Sequence, residues 1–188
     1  GCSSKIRIPE YDAPPSAQAS AEKPLSIQYL GVGGQRMQYG DEVVLTGPMF
    51  SNPNFILAGP FIPLSSDHEA VDKYMPESSA ASIMLVGHAH YDHILDAPDL
   101  CQQTGARLIG SDSTIQVGRA AGLPEQQLLA IQGHEDITSG TWMVRGLPSR
   151  HGQVFGRIPF PGDITEPPSW PPRMAELKHG LVLNWLVD

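Results

Sequence analysis

The chain has 188 residues and a mass of 20.3 kDa, enough for one domain of ordinary size and too short for two with a linker. Its 40% hydrophobic content can fill a core, while 17% charged residues and a mean hydropathy of -0.18 exclude a disordered or membrane-embedded composition. A formal charge of -8 with no stripe of Lys and Arg argues against a nucleic-acid backbone as partner, and no run of about 18 apolar residues is present to span a bilayer.

Gly1, Cys2, Ser3 and Ser4 open the sequence, followed by a Pro-, Ala- and Ser-rich stretch through Pro24 with almost nothing to bury. Residues 1–25 read as a tether. The Gly-Cys pair resembles the end of a bacterial lipoprotein signal, with cleavage before Cys2 and acylation of its thiol. That resemblance implies a lipid-anchored protein facing the periplasm or the exterior of the cell envelope, in contact with the membrane only through Cys2. Cys101 is expected to be a small buried apolar residue rather than a disulfide partner of Cys2.

Residues 26–188 form the predicted domain. Alternation at 26–30, glycines at 31, 33 and 34, and short strands at 35–39 and 42–46 predict an antiparallel meander. No helix follows those glycines, so they are not a dinucleotide loop. A turn-rich loop at 47–55 and a weak helix at 67–75 come next. The continuous apolar run 81–86 reads as a central strand. Apolar residues at helical spacing predict one helix over 94–103, stopped at Gly105. A strand at 107–109, a helix over 111–121 capped by Ser111 or Asp112, and strands at 128–131, 141–145 and 181–188 complete the pattern. Seven of the 18 prolines fall between Pro148 and Pro172, which predicts an irregular loop. The chain stops after the last strand, where a turn and a partner strand are expected, so the domain reads as partial.

The chemistry sits directly after the central strand, in Gly87-His88-Ala89-His90-Tyr91-Asp92-His93. Residues i and i+2 of an extended segment point the same way, so His88 and His90 can offer two imidazoles to one ion. A turn into a helix then places Asp92 and His93 beside a second ion. Imidazole with carboxylate suits Zn²⁺ first, then Mn²⁺ or Fe, as one or two ions. An ion with an open position lowers the pKa of its bound water. Four such side chains within six residues would be costly to desolvate with nothing to bind.

His88-Ala-His90-Tyr-Asp92-His93 resembles the His-x-His-x-Asp-His signature of the metallo-β-lactamase-fold hydrolases. The meander with its Leu-Thr-Gly-Pro resembles the opening hairpins of that fold. Tyr91 and Leu147-Pro-Ser-Arg-His151 are similar to the branch of N-acylphosphatidylethanolamine phospholipase D-like and UlaG-like lactonase proteins. The resemblance covers about residues 26–188 and implies an α/β architecture, an αββα sandwich with metals at the sheet edges. It also implies that His88, His90 and His151 hold one metal, that Asp92 and His93 contribute to a second, and that Asp92 orients the attacking water.

A bridging aspartate and a late histidine of the family pattern find no clear counterpart. Asp163 follows a glycine but lies too soon after His151, Asp188 reads as opening a turn, and both missing ligands are expected beyond residue 188. The implied activity is hydrolysis of an ester-like bond in a small-molecule or lipid-like substrate, with a phosphodiester or lactone favoured over a β-lactam. The rival is a non-catalytic cell-envelope binding lipoprotein with a structural or degraded metal site. His68, His134 and His179 are expected on surface loops, while Tyr91, Phe50, Phe55 and Trp142 are weighed between lining a pocket and packing the core.

Overall fold

A computed structural model describes residues 24–53, 62–75 and 81–188. Cys2, the tether before Pro24 and Phe55 lie outside the described residues. The meander forms as β1 (Leu25–Gly31), β2 (Gly34–Tyr39) and β3 (Glu42–Thr46), antiparallel neighbours in that order. After α1 (His68–Tyr74), the apolar run forms β4 (Ala81–Leu85), parallel to β3 with Leu45 opposite Met84. Next come α2 (Tyr91–Ile94), α3 (Ala97–Thr104), β5 (Arg107–Gly110), α4 (Asp112–Ala120) and β6 (Leu128–Ala130). Strands β1 to β6 make one six-stranded sheet in sequence order, parallel from β3 onward. A separate antiparallel sheet holds β7 (Asp136–Ser139), β8 (Trp142–Ser149) and β9 (Val182–Val187).

Alternation along the strands sorts side chains into two cores. Leu45, Met84 and Leu108 face the helices and pack with Val71, Leu100, Cys101 and Val117. Their neighbours Val44, Ile83, Leu85 and Ile109 face the other way and meet Ile137, Trp142, Val144 and Leu183 of the second sheet. The result is helix, sheet, sheet, as in an αββα sandwich. The far face of the second sheet, with Leu147 and Leu186 exposed, carries no helix among the described residues. No helix among them is long and apolar enough to cross a membrane.

Three expectations need correction. The helix predicted over 94–103 is two helices broken at Asp96, because that carboxylate turns inward to serve a neighbouring loop and Pro98 sits at the start of α3. Strand β7 lies in a segment read as a loop, since its one buried residue, Ile137, gives no apolar alternation. Strand β8 continues through Pro148 to Ser149, where β9 still pairs with it but β7 has ended, so the missing N–H costs no ladder bond there. Ser111 is the helix cap, accepting from the Thr114 amide, and Gly105 ends α3 at φ 77°. Phe50 packs against the helix-side core and Trp142 is buried between the sheets, so both are structural. Cys101 is buried as expected, and burial pushes its thiol up to about 12.

Candidate metal centre

The histidine loop leaves the C-terminal end of β4 and enters α2. Its backbone is fixed from three sides: the Gly47 amide donates to Leu85 O (2.8 Å), the Leu183 amide to Gly87 O (2.7 Å), and the Ala89 amide to His179 O (3.0 Å). Gly47 passes so close that a Cβ there would stand 2.2 Å from His93 O, so only glycine fits. The turn between β1 and β2 packs on the ring of His93, where a Cβ at Gly33 would lie 3.1 Å from its atoms.

Within this frame His88 Nε2 and His90 Nδ1 stand 3.1 Å apart. Two nitrogens bound to one tetrahedral Zn²⁺ at about 2.0–2.1 Å would lie about 3.3 Å from each other. His151, arriving from the end of β8, places its ring 4.8 Å from His88 and 4.7 Å from His90. Two overlapping donor sets result, His88 with His90 and His151, and His88 with Asp92 and His93, each with donor atoms within 4.8 Å of one another. His93 Nε2 lies 3.5 Å from Asp92 Oδ2. All five residues singled out in the sequence therefore meet at one place, with His88 common to both sets.

The donors fit a cation. Burial is the largest cause holding the His88 imidazole down to about 2, reinforced by repulsion from His93, His90, His151 and His179. Burial likewise lowers His90, aided by His151 and opposed by the Phe160 backbone and Asp92. It lowers His93 too, against the attraction of Asp92. Neutral imidazoles are the ligand form. His90 Nε2 is also buried with no hydrogen-bond partner among the described residues. Tyr91 is not a base near neutral pH, because burial and then Asp92 push its phenol up to about 12.

These depressed pKa values set a sign for stability in the metal-free protein. The unfolded chain binds protons at its histidines near pH 6.5 that the folded site refuses, so stability present above that pH is lost below it. Each such group steepens the loss by at most about 1.4 kcal/mol per pH unit. Urea unfolding with chelator at pH 7.5, 6.0 and 5.0 should show this decline, and His88→Gln should flatten it. A slope unchanged by that substitution would refute the account.

The structure also corrects the sequence on His179. Read as a surface residue, it is partly buried, with its ring 5.8 Å from His90 and 6.0 Å from His151. No local signal marks it, since its neighbours are 28 and 89 positions away. His134 is exposed and His68 faces Asp99 at 3.1 Å, as surface readings require. Asp163 and Asp188 are both exposed and join neither donor set.

Beside the cluster runs a groove of about 410 Å³ lined by His88, His93, His151, Gln35, Arg150 and Asn184 among others, none of them a carboxylate. No described carboxylate pairs with Arg150. Asn184 is tied to Ser149 Oγ at 3.3 Å.

No family model matches the chain. Over 132 residues it is 24% identical to the UPF0173 metal-dependent hydrolase of Ruegeria sp. (strain TM1040), covering 70% of this chain and 50% of that protein. The solved structure of Igni18, a metallo hydrolase from the archaeon Ignicoccus hospitalis KIN4/I, superposes with a TM-score of 0.54 at 14% identity, over 87% of this chain and 55% of that one. CmlA, a diiron β-hydroxylase from Streptomyces venezuelae, gives 0.53 at 16% identity over 90% and 28%. The chain spans about half the length of the curated relative it matches. Its layers and these neighbours place it in the metallo-β-lactamase fold, and identities this low speak for the fold alone.

Proposed function

We propose that this metallo-β-lactamase-fold chain belongs to a metal-dependent hydrolase that cleaves a phosphodiester. The observation that carries the reading is the pair of donor sets sharing His88, beside a groove that His88, His93 and His151 line. Zn²⁺ is the ion favoured by three imidazoles in one set and imidazole with carboxylate in the other. A bound divalent ion supplies Lewis acidity toward the scissile group and a water that ionises near neutral pH. His88, His90 and His151 would hold one ion, and Asp92 and His93 would serve a second. Asp92 offers its carboxylate to orient the attacking water and take its proton.

Arg150 supports an anionic substrate over a neutral one. It is exposed, and it is the one fixed charge among the groove's lining residues in a chain of formal charge -8. The Cys2 pattern supports lipid anchoring at the cell envelope, which suits a lipid-like ester.

The test loads purified protein with Zn²⁺ and compares a phosphodiester reporter, a lactone and a β-lactam. Turnover is expected on the phosphodiester and should fall at least about 100-fold in Asp92→Ala. Arg150→Ala should raise KM about tenfold on the phosphodiester and leave KM on the uncharged lactone unchanged. Equal rates for wild type and Asp92→Ala would end the proposal, and an equal KM change on both substrates would remove Arg150 from substrate recognition.

A further inference from the structure

The stretch after His151 is a built hairpin with an apolar tip. Val154 and Arg157 exchange backbone bonds, Val154 N to Arg157 O at 2.8 Å and Arg157 N to Val154 O at 3.1 Å. Between them Phe155 and Gly156 adopt φ of 50° and 75°, the geometry of a two-residue primed turn. Glycine takes that conformation freely, whereas a phenylalanine there is sterically disfavoured.

Phe155 is also fully exposed, at 102%, with Val154 at 51% and Ile158 at 39%. Nothing among the described residues covers this tip. Its base, by contrast, is held firmly at the histidine site. His151 begins the segment, and at its end Phe160 packs with Leu64, Leu95 and Met174, its ring 6.4 Å from His90. The His179 amide donates to Phe160 O at 3.2 Å. The tip therefore projects from the rim of the metal centre, not from a remote surface.

The segment itself carries only positive fixed charge up to Asp163. Residues 150–162 contain Arg150 and Arg157 and no acid, in a chain with 20 Asp and Glu. An exposed aromatic and two aliphatics flanked by arginines is the combination that enters the boundary between lipid headgroups and acyl chains. There the apolar atoms leave water and the cations meet anionic phosphate.

We propose that residues 152–158 form a bilayer-insertion tip that seats the mouth of the histidine site on an anionic phospholipid surface. The tip brings the groove to the plane of the headgroups, so that a substrate reaching it comes from the membrane. Binding is read without turnover, so the proposal stands or falls independently of the hydrolytic reading.

The experiment uses the full chain produced with Cys2 unacylated, so that a lipid anchor cannot account for the result. It is co-sedimented with sucrose-loaded vesicles of phosphatidylcholine alone or mixed with phosphatidylglycerol. We expect partition onto the phosphatidylglycerol vesicles, several-fold weaker binding to phosphatidylcholine alone, and at least a tenfold loss with Phe155→Asp. Phe155→Trp should bind like the wild type and gain a blue-shifted emission component on the vesicles. Because the Phe155 side chain is fully exposed, both variants should keep the wild-type circular dichroism and unfolding midpoint. Equal partition of wild type and Phe155→Asp, no partition at all, or indifference to phosphatidylglycerol would overturn the proposal. So would a Phe155-dependent dimer in sedimentation velocity without vesicle binding, which would assign the tip to a second copy of the chain.

Discussion

His88→Ala is expected to strip the protein of tightly held metal, because His88 belongs to both donor sets. Residues that merely orient a ligand are commonly worth 10–100-fold in metal affinity, so loss of a shared ligand should cost more than about 100-fold. After loading with Zn²⁺ and dialysis, elemental analysis should find near-stoichiometric metal in the wild type and very little in His88→Ala. His134→Ala, which alters an exposed loop histidine, should behave as wild type. The fold should survive the change, since the ring contributes donors more than packing to a loop tied down by Gly47, Leu183 and Ala89 backbone bonds. Equal metal content in wild type and His88→Ala would remove the coordination argument. Metal held by the wild type without turnover on any ester would instead favour the non-catalytic binding protein.

The second large effect is on stability, and it lies at a residue the sequence did not single out. Asp96 is fully buried at the break between α2 and α3. Its Oδ2 accepts from the Phe50 amide at 2.6 Å and the Ser51 amide at 2.7 Å, and its Oδ1 from the hydroxyls of Ser51 at 2.6 Å and Ser66 at 2.8 Å. Ser51 Oγ in turn accepts from the Asp67 amide at 2.5 Å, at the cap of α1. One carboxylate thus joins the loop after β3 and the entry to α1 to the helix turn that follows the metal centre.

Asp96→Ala would leave two backbone N–H groups and two hydroxyls without their acceptor, the Ser51 pair fully buried and the Phe50 and Ser66 donors half-buried. Each buried donor left unpaired costs about 1–3 kcal/mol, so a loss of about 3–5 kcal/mol is expected in chemical denaturation. Relief of the carboxylate's own desolvation keeps the figure below the simple sum. Asp96→Asn keeps one acceptor oxygen and the shape, and should cost less. A loss under about 1 kcal/mol for Asp96→Ala would mean that these loops hold their positions without the carboxylate.

The metal cluster was legible because it is local. His88 and His90 share a face by the two-residue period of extended chain, and Asp92 and His93 follow within one turn of helix. No information from elsewhere in the chain is needed to bring them together. The same holds for the meander, for the apolar run of β4, which is buried on both faces, and for the Ser111 cap. His151 was recognisable through the motif around it, not through any periodicity of its own.

What the sequence by itself determined, then, is the set of residues within reach of one another along a single strand, turn or helix. Tertiary structure alone decided that His179 stands beside His90, that Asp96 serves Phe50 and Ser66, that Arg150 faces a groove free of carboxylates, and that Phe155 projects from its rim. Periodicity encodes which face of an element is buried, but not which distant segment covers that face. That pairing is settled only when two sheets close on a shared core and bring residues tens of positions apart into contact.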